Sequence, residues 1–413
     1  PPQTLSCRGP KMSFSNGLDK RPKLRFPEFD EPYRVVTLGE ISFMIKRSDP
    51  QSHAPVMMLS AGNGFIMQSD KYSRDNAGQS LKKYILLKKG ELAYNHGASK
   101  AKQFGCCYEL QEEEARIPYV YHCFKVRDTE YTPYVALELN NPKMDKQLKR
   151  LVSSSVRMDG LLNISYEEYM SVQVYLPAYS EQKRIADFIE KLDKRTVKQE
   201  QLIETLKKYK RGVTAKLIAA IEEKYPVVKL GEYVTVMRGS SPRPIDAYLT
   251  NSEEGVRWIK IGDTQPDKLY ITETKERIKP EGVKKSRRVY EGDLILSNSM
   301  SFGRPYILKV DGCIHDGWLL IRDKKHKFDK RFLCFYLASD STLTQYKKYA
   351  AGSCVNNLNS ELVASVEIGM PPIDQQIHVA DILEKVDRQV QALSTMYSLL
   401  NRVRSALLQQ LFI

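Results

Sequence analysis

The feature that most constrains this chain is an internal repeat with a period of nearly 200 residues. The segment 176–193 (LPAYSEQKRIADFIEKLD) aligns with 370–387 (MPPIDQQIHVADILEKVD) at an offset of 194, with seven identical residues. Earlier anchors repeat at offsets of 192 and 202, namely Leu38-Gly39-Glu40 with Leu230-Gly231-Glu232 and Gly90-Glu91-Leu92 with Gly292-Asp293-Leu294. A period this long is not that of a solenoid, so the sequence predicts two similar domains, each followed by a similar tail.

Each tail is predicted to be one long helix. Ser180 and Asp374 follow prolines at the tail starts and are good helix N-caps. Apolar residues then recur with 4-3 spacing over about five heptads, which indicates coiled-coil helices. The predicted helix-pairing seam comprises Ile185, Ile189, Leu192, Ile203, Leu206, Lys210, Val379, Leu383, Val386, Leu393, Leu400 and Arg404.

Two arrangements of these helices are open. Each helix could pack only on the core of its own domain, or the two could pack on each other as an antiparallel coiled coil. The second is favoured because Lys210 and Arg404 occupy the same register of the two seams, and polar seam residues often specify pairing.

The domain boundaries follow from the repeat and from composition. We predict an N-terminal arm (1–22), a first domain (23–178), a first spacer helix (179–225), a second domain (226–372) and a second spacer helix (373–413). Residues 1–11 precede Met12 and match nothing, and we expect them to be either an upstream extension or a sequence added for expression. The fold class is α+β: two similar mixed α/β domains and their helices, related by a pseudo-two-fold axis.

Short β-branched and aromatic runs separated by Gly, Asn, Ser and Pro clusters predict the strands of the two domains. These runs are Tyr33–Leu38, Lys83–Leu87, Leu92–Tyr94, Tyr119–Val126, Val227–Met237, Val256–Ile261, Asp293–Leu296 and Gly317–Ile321. Helices are expected at Pro133–Leu139 and Lys330–Leu337.

Charge and hydropathy narrow the class of protein. With 64 Lys and Arg against 50 Asp and Glu, the 413-residue chain carries a net charge of +14, which favours a polyanionic partner such as nucleic acid. No stretch reaches the roughly 20 apolar residues of a membrane span, and the first residues lack the apolar core of a signal peptide. We therefore expect a soluble, cytoplasmic protein.

Turn-rich basic loops are the candidate DNA-binding elements. In the second domain they lie at 238–244, 275–288 and 297–304, where Arg can read guanine and Lys can bind phosphate. The candidates there are Arg238, Ser240, Ser241, Arg243, Lys260, Lys284, Lys285, Arg287, Arg288, Ser301 and Arg304; weaker ones in the first domain are Lys46, Arg47, Lys82, Lys83, Asn95 and Lys100. For any single residue, a solvated basic surface is the commoner explanation.

The motifs of several enzyme classes do not occur. There is no Walker A sequence, no G-x-G-x-x-G after a strand and no C-x-x-C pair. Asp267, Glu273 and Lys275 resemble a metal-dependent nuclease pattern only superficially, and the adjacent Cys106 and Cys107 would point to opposite faces of a strand. We therefore expect a binding protein with no catalytic residues, no metal and no cofactor of its own.

The whole pattern resembles the specificity subunit of a type I restriction-modification system, over about residues 23–413. The resemblance rests on the repeat, on the two long helices and on segments typical of such subunits. These segments are 22–29 (PKLRFPEF), 258–263 (WIKIGD), 301–306 (SFGRPY) and 314–318 (IHDGW). Gln375 stands where the first copy has Glu181, which is a small departure from the repeat.

The resemblance implies two target recognition domains that each read one half of a bipartite double-stranded DNA site. The helices would fix the gap between the halves and dock two methyltransferase subunits, which would bind S-adenosylmethionine and methylate adenine at N6. Restriction subunits with motor and nuclease activity would join for cleavage. The alternatives are a basic coiled-coil scaffold without sequence-specific DNA reading, and a self-contained nuclease.

Overall fold

The computed structural model describes residues 21–71, 78–100, 102–152, 162–265, 268–298, 303–350 and 358–413. The chain divides into two compact units: unit 1 is Pro1–Val197 with Leu399–Ile413, and unit 2 is Lys198–Ser398. Almost all of the predicted arm (1–22) lies outside the described residues, so the arm and the other predicted domain boundaries remain predictions. Among the described helices, none has the length and apolarity needed to cross a membrane.

Unit 1 is a mixed α/β unit. Its strands are β1 (Arg34–Thr37), β2 (Ser42–Met44), β3 (Met57–Ser60), β4 (Gly64–Met67), β5 (Ile85–Lys88), β6 (Leu92–Asn95), β7 (Cys106–Glu109), β8 (Glu114–Ile117), β9 (His122–Val126) and β10 (Gln173–Leu176). Its helices are α1 (Gln68–Lys71), α2 (Thr132–Leu139), α3 (Met144–Leu151), α4 (Tyr166–Met170) and the first part of α5 (Tyr179–Lys224). The strands form a four-stranded sheet, β2-β9-β6-β7, and the pairs β1-β10, β3-β4 and β5-β8.

The four-stranded sheet of unit 1 packs against an apolar cluster on each of its two faces. On β7, Cys107 belongs to the larger apolar cluster with α2, α4 and α5, whereas Cys106 belongs to a second cluster with β3 and β8. On β9, Phe124 and Cys123 alternate in the same way. Because successive side chains of a strand point to opposite faces, these two strands contribute buried side chains to the clusters on both faces of the sheet.

Unit 2 is the larger strand assembly. Its strands are β11 (Val227–Lys229), β12 (Val234–Arg238), β13 (Leu249–Thr250), β14 (Val256–Ile259), β15 (Tyr270–Ile271), β16 (Glu276–Ile278), β17 (Arg287–Val289), β18 (Leu294–Ser297), β19 (Pro305–Leu308), β20 (Gly312–Ile314), β21 (Trp318–Asp323) and β22 (Glu367–Gly369). Its helices are α6 (Pro280–Val283), α7 (Lys330–Leu337), α8 (Asp340–Ala350), α9 (Ser360–Ala364) and α10 (Ile373–Leu411), together with the second part of α5.

Two five-stranded sheets form the frame of unit 2, in the orders β12-β21-β18-β19-β15 and β13-β16-β14-β20-β17. Ile295 and Leu320 of the first sheet pack with Ile259 and Ile314 of the second. The opposite face of the first sheet, which includes Leu294 and Leu319, packs on α7, α9 and the long helices. Unit 2 is therefore layered as helices, sheet and sheet.

The repeated glutamine of the proline-helix motif has the same role in both units. Gln182 accepts a hydrogen bond from the backbone N–H of Tyr131 (2.8 Å) and donates to the carbonyl of Pro177 (3.0 Å). Gln376 accepts from the backbone N–H of Asp329 (3.0 Å) and donates to the carbonyl of Pro371 (2.9 Å). Each glutamine thus joins the start of its long helix to the residue that precedes a short helix, α2 in unit 1 and α7 in unit 2.

The long helices are paired within each unit, as the seam predicted. In unit 1, Arg404 of α10 binds Asp193 of α5 through two hydrogen bonds, one of them 3.0 Å long. In unit 2, Lys210 of α5 forms an ion pair with Asp387 of α10. The two ion pairs are equivalent under the 194-residue repeat, because Asp193 corresponds to Asp387 and Lys210 corresponds to Arg404.

The direction of pairing is antiparallel. In unit 2, Lys210 lies beside Asp387, while Gln199, further back on α5, donates to the carbonyl of Leu393, further along α10 (3.0 Å). All predicted seam residues are buried or half-buried: Ile185, Ile189, Ile203, Val379, Leu383, Val386 and Leu400 are buried, and Leu192, Leu206, Lys210, Leu393 and Arg404 are half-buried. The starts of both helices also pack on the core of their own unit, so the two predicted arrangements coexist.

Two local predictions were wrong. The run Val227–Met237 is not one strand, because a 3-10 turn at Leu230–Glu232 separates β11 from β12. At Gly231 a Cβ would lie 2.9 Å from the Cβ of Ala364, and this close approach requires glycine. The helices α5 and α10 begin at Tyr179 and Ile373, one residue before the predicted caps, so Ser180 and Asp374 lie inside the first turn.

Candidate nucleic-acid interface

The predicted basic loop at 238–244, called the arginine loop below, lies at one end of the first sheet of unit 2. In the register of this sheet, Arg238 at the end of β12 lies opposite Leu319 of β21, and Ser297 at the end of β18 lies opposite Trp318. The turn that precedes β21 contains Asp316, so it reaches the same end. The sheet therefore brings three separate loops together.

Asp316 organises the arginine loop. Its carboxylate accepts hydrogen bonds from the hydroxyl of Ser241 (2.8 Å) and from the guanidinium of Arg243 (3.3 Å). Its backbone carbonyl accepts from Arg238 Nε (3.3 Å) and from the side-chain amide of Asn298 (2.9 Å). The side chain of Arg243 is nevertheless 79% exposed, so the cluster holds the loop without enclosing its charge.

The surroundings of Asp316 and His315 determine their ionisation states. Burial acts to raise the pKa of Asp316, but hydrogen bonds from Ser241 and the backbone, with the charges of His315 and Arg243, hold it below its ordinary value. Burial lowers the pKa of His315, and its Nδ1 accepts the N–H of Gly317 (2.6 Å). At neutral pH the aspartate is therefore anionic, and His315 is a neutral turn residue.

A close backbone approach fixes the loop. At Gly239 a Cβ would lie 2.0 Å from the carbonyl oxygen of His315, so a side chain cannot be accommodated. The hydroxyl of Ser286 donates to the carbonyl of Ser240 (2.8 Å), and Arg287 Nε donates to the carbonyl of Arg238 (3.1 Å). Ser286 and Arg287, at the start of β17, thus join this basic segment to the arginine loop.

The remaining second-domain candidates differ in their surroundings. Lys284 is exposed, Lys285 donates to the hydroxyl of Tyr248 (2.6 Å), and Arg288 lies over the ring of Tyr290. Lys260 forms an ion pair with Glu276. Ser301 lies outside the described residues.

Arg304 lies elsewhere, in a cleft of about 500 Å³ within unit 2. The cleft is lined by the second part of α5, by the segment around Leu269 and Pro305, and by α7 and α8. Arg304 is close enough to the buried thiol of Cys334 to influence it electrostatically, although burial dominates and raises the pKa of that thiol.

The first-domain candidates include two with structural partners. Arg47 forms an ion pair with the buried Glu91 (2.6 Å), and Asn95 accepts the N–H of Gly97 (2.9 Å). The other four, Lys46, Lys82, Lys83 and Lys100, are exposed. Among these candidates unit 1 therefore presents exposed lysines, with no arginine cluster comparable to that around Asp316 in its described part.

The predicted absence of a metal site concerns two groups. Cys106 and Cys107 point to opposite faces of β7, and both thiols are buried and free. Within the described ranges, no three His, Cys, Asp or Glu side chains are grouped in a way that could hold a metal ion. Glu273 and Lys275 are exposed, and Asp267 lies outside these ranges.

Sequence reasoning missed two features of this interface. From the sequence, Asp316 is considered only as part of the segment 314–318 (IHDGW), and the signal that could have pointed to its role is the long-range match of a Ser- and Arg-rich turn to an acidic turn. Lys268 and Arg211, which line the cleft with Arg304, looked like ordinary solvated charges. No local sequence signal distinguishes them from such charges.

Comparisons with known proteins show which family this chain is similar to. Residues 222–401 match the family model of the type I restriction modification DNA specificity domain. Two relatives from Methanocaldococcus jannaschii, the MjaX and MjaVIII type I restriction enzyme specificity subunits, are 26% and 24% identical over 277 and 289 residues. Each alignment covers 62% of this chain, and the chain spans 61% of the MjaX subunit and 67% of the MjaVIII subunit.

Solved structures show the same fold. The S subunit of a type I restriction-modification system from M. genitalium aligns with a TM-score of 0.60 at 15% identity, covering 95% of this chain and 99% of that one. A chain from work on complex assembly and conformational transition of the type I R-M system aligns with a TM-score of 0.56 at 17% identity, covering 93% and 99%.

The repeated α+β unit with long paired helices is the fold of a solved type I S subunit, and residues 222–401 match the DNA specificity domain of type I restriction-modification systems. In sequence, the chain is similar to the specificity subunits of type I systems, as the two relatives from Methanocaldococcus jannaschii show. The predicted resemblance and fold class are confirmed. Subunits of this family are non-catalytic.

Proposed function

We propose that this subunit reads a bipartite DNA site, with one half-site read by each unit, and that it gives this specificity to a methyltransferase and endonuclease complex. The observation that carries the proposal is the duplicated helix pairing. Arg404 with Asp193 in unit 1 and Lys210 with Asp387 in unit 2 are the same contact made twice. The strand regions attached to them differ in sequence and loops, as expected for two readers of different half-sites.

In unit 2 the proposed base-reading element is the loop held by Asp316. Arg238 and Arg243 are exposed on a backbone fixed at Gly239, and a rigid arginine can bind guanine through two hydrogen bonds. The lysines at 284 and 285 are suited to phosphates, which position the protein without reading sequence.

The partners proposed for the helices are two methyltransferase subunits. Several large apolar side chains on the helices are exposed, including Tyr179 and Phe188 in unit 1 and Leu202 and Tyr209 in unit 2. S-adenosylmethionine would be bound by these partners, which would methylate adenine at N6. Restriction subunits would join the complex for cleavage.

The experiment is methylation-sensitive long-read sequencing of DNA from a host that expresses this chain with its methyltransferase partner. The proposal predicts one bipartite methylated motif. The double variant Arg238→Ala and Arg243→Ala should relax or abolish one half-site and leave the other readable. Lys324→Ala, exposed beyond the opposite end of β21, is the matched control. A motif without two halves, or equal loss of both halves in the double variant, would contradict the proposal.

The helices are proposed to set the unread gap. Removal of one heptad from each, at the equivalent segments 197–203 and 391–397, shortens the seam but retains its heptad register and both ion pairs. Each helix shortens by about 10 Å, the length of about three base pairs. The gap should therefore change by about that number while both half-sites persist. A variant that still co-purifies with the methyltransferase and methylates the original gap would show that the helices are not the ruler.

A further inference from the structure

The cleft in unit 2 carries an excess of positive charge. Its cationic lining residues are Lys207, Lys210, Arg211, Lys268 and Arg304, against the acidic Glu204, Asp340 and Asp387. Two of the acids are already neutralised, because Glu204 pairs with Lys207 (3.5 Å) and Asp387 pairs with Lys210.

Three of the cations have no such partner. Within the described residues of unit 2, no ion pair joins Arg211, Lys268 or Arg304 to a carboxylate. Other arginines of the unit are paired, for example Arg322 with Asp293 (2.6 Å) and Arg331 with Asp329 (3.1 Å). Three unpaired cations that line one concavity attract an anion, since a concave surface concentrates their field.

The cleft also has an apolar side. Leu269, Phe335 and Leu343 line it next to the cations. Its volume of about 500 Å³ is larger than a bare phosphate ion requires. A phosphodiester with its adjoining sugar matches this combination, because it presents an anionic group beside an apolar carbon surface.

The position of the cleft links it to the proposed DNA-reading end of the sheet. Arg304 immediately precedes β19, and Pro305 of β19 lies opposite Leu296 near the end of β18. In the order β12-β21-β18-β19, Arg304 is three strands from Arg238, which corresponds to about 14 Å along one sheet end. A duplex read by the arginine loop would therefore bring its phosphates close to the cleft.

From these contacts we infer that Arg211, Lys268 and Arg304 form a binding site for the phosphodiester backbone of DNA flanking the second half-site. The inference rests on the proposed function. It also assigns Arg304 a role other than base reading. Arg304 lines a cleft together with α5 and α8, whereas a base-reading side chain must reach into a groove of the duplex.

The test measures DNA binding by the complex of the full chain with its methyltransferase partner, by fluorescence anisotropy. The probes are a duplex with the methylated motif and a scrambled duplex of equal length, at several salt concentrations. The variants are Arg211→Ala, Lys268→Ala, Arg304→Ala and Arg304→Lys. Lys208→Ala is the matched control, because Lys208 is exposed on the same helix and does not line the cleft.

Each alanine variant should weaken binding to both duplexes by the same factor. Each lost phosphate contact should reduce the salt exponent by about 0.9, so that raising salt from about 50 to about 200 mM weakens the variant about 3.5-fold less than the wild type. Arg304→Lys should retain wild-type binding, since a lysine still binds a phosphate.

Three outcomes would overturn the inference. Cleft variants that behave like Lys208→Ala would show that no phosphate is bound there. Loss restricted to the motif duplex, in both Arg304→Ala and Arg304→Lys, would indicate base reading. Loss of the methyltransferase from the complex with unchanged DNA affinity would indicate a protein-binding cleft. Equal wild-type affinity for the two duplexes would instead count against the proposed function, while the salt exponents would still test the cleft.

Discussion

The buried carboxyl of Glu138 should make unit 1 less stable as the pH rises. Glu138 lies on α2 and is 3% exposed; its Oε1 accepts the N–H of Tyr175 (3.3 Å), and its Oε2 has no hydrogen-bond partner. Burial raises its pKa from 4.5 to about 8, against smaller opposing effects of the Tyr175 N–H and Lys143. The carboxyl is therefore protonated in the folded state at neutral pH.

The magnitude follows from linkage. Glu138 ionises above pH 4.5 in the unfolded chain but only above about pH 8 in the folded chain. Between these values folding requires the uptake of one proton at Glu138, so the free energy of unfolding falls as the pH rises. Each pH unit costs about 1.4 kcal/mol, which amounts to about 3 kcal/mol at pH 7 and at most about 5 kcal/mol above pH 8. Below pH 4.5 the cost is absent.

Glu138→Gln should remove this dependence, because an amide of the same shape does not ionise. The free energy of unfolding of unit 1 can be measured by hydrogen exchange of peptides from Thr132–Leu139, corrected at each pH for the intrinsic exchange rate. The variant should exceed the wild type by an amount that grows between pH 5 and 8. Glu113→Gln, whose side chain is 85% exposed, is the control. A difference between variant and wild type that does not change with pH would refute the reasoning.

Three further predictions concern single side chains. Phe412→Ala removes a fully buried ring stacked on Tyr134 at 5.2 Å and should cost unit 1 about 3–5 kcal/mol by hydrogen exchange, whereas the exposed Val403→Ala should cost little. Arg25→Ala leaves the fully buried Glu181 without its two guanidinium hydrogen bonds (2.8 and 2.7 Å) and should cost about 3–5 kcal/mol; adding Glu181→Leu should recover part of the loss, and no recovery would argue against a stranded charge. Gly239→Ala should displace the arginine loop and weaken reading of the second half-site by the methylation assay, with unit 1 unaffected; an unchanged motif would show that the loop tolerates the shift.

The helical part of the molecule was predictable because its signal is local and periodic. The 4-3 spacing gave both long helices within a residue of their observed starts, and the shared register of Lys210 and Arg404 indicated their pairing. Their partners, Asp193 and Asp387, were identical in the repeat, but which charge would meet which depended on the direction of the helices.

The candidate interface was less predictable because it depends on contacts between distant segments. Arg238 and Arg304 both lie in basic turn-rich loops, yet the sheet order separates them by three strands, and only one joins the cluster around Asp316. Arg47 has the composition of a DNA contact but pairs with Glu91, 44 residues away. Sequence patterns identified the loops, whereas strand order and burial determined the surroundings of each side chain.

The duplicated helix contact also favours the antiparallel orientation of the two long helices. In a parallel, in-register pair of the same helices, residues related by the 194-residue offset would lie opposite each other. Asp193 would then oppose Asp387, and Lys210 would oppose Arg404, which places like charges together at both levels. In the antiparallel pair each acid meets a base. One acidic and one basic position, copied once by duplication, are therefore enough to favour one orientation and penalise the other.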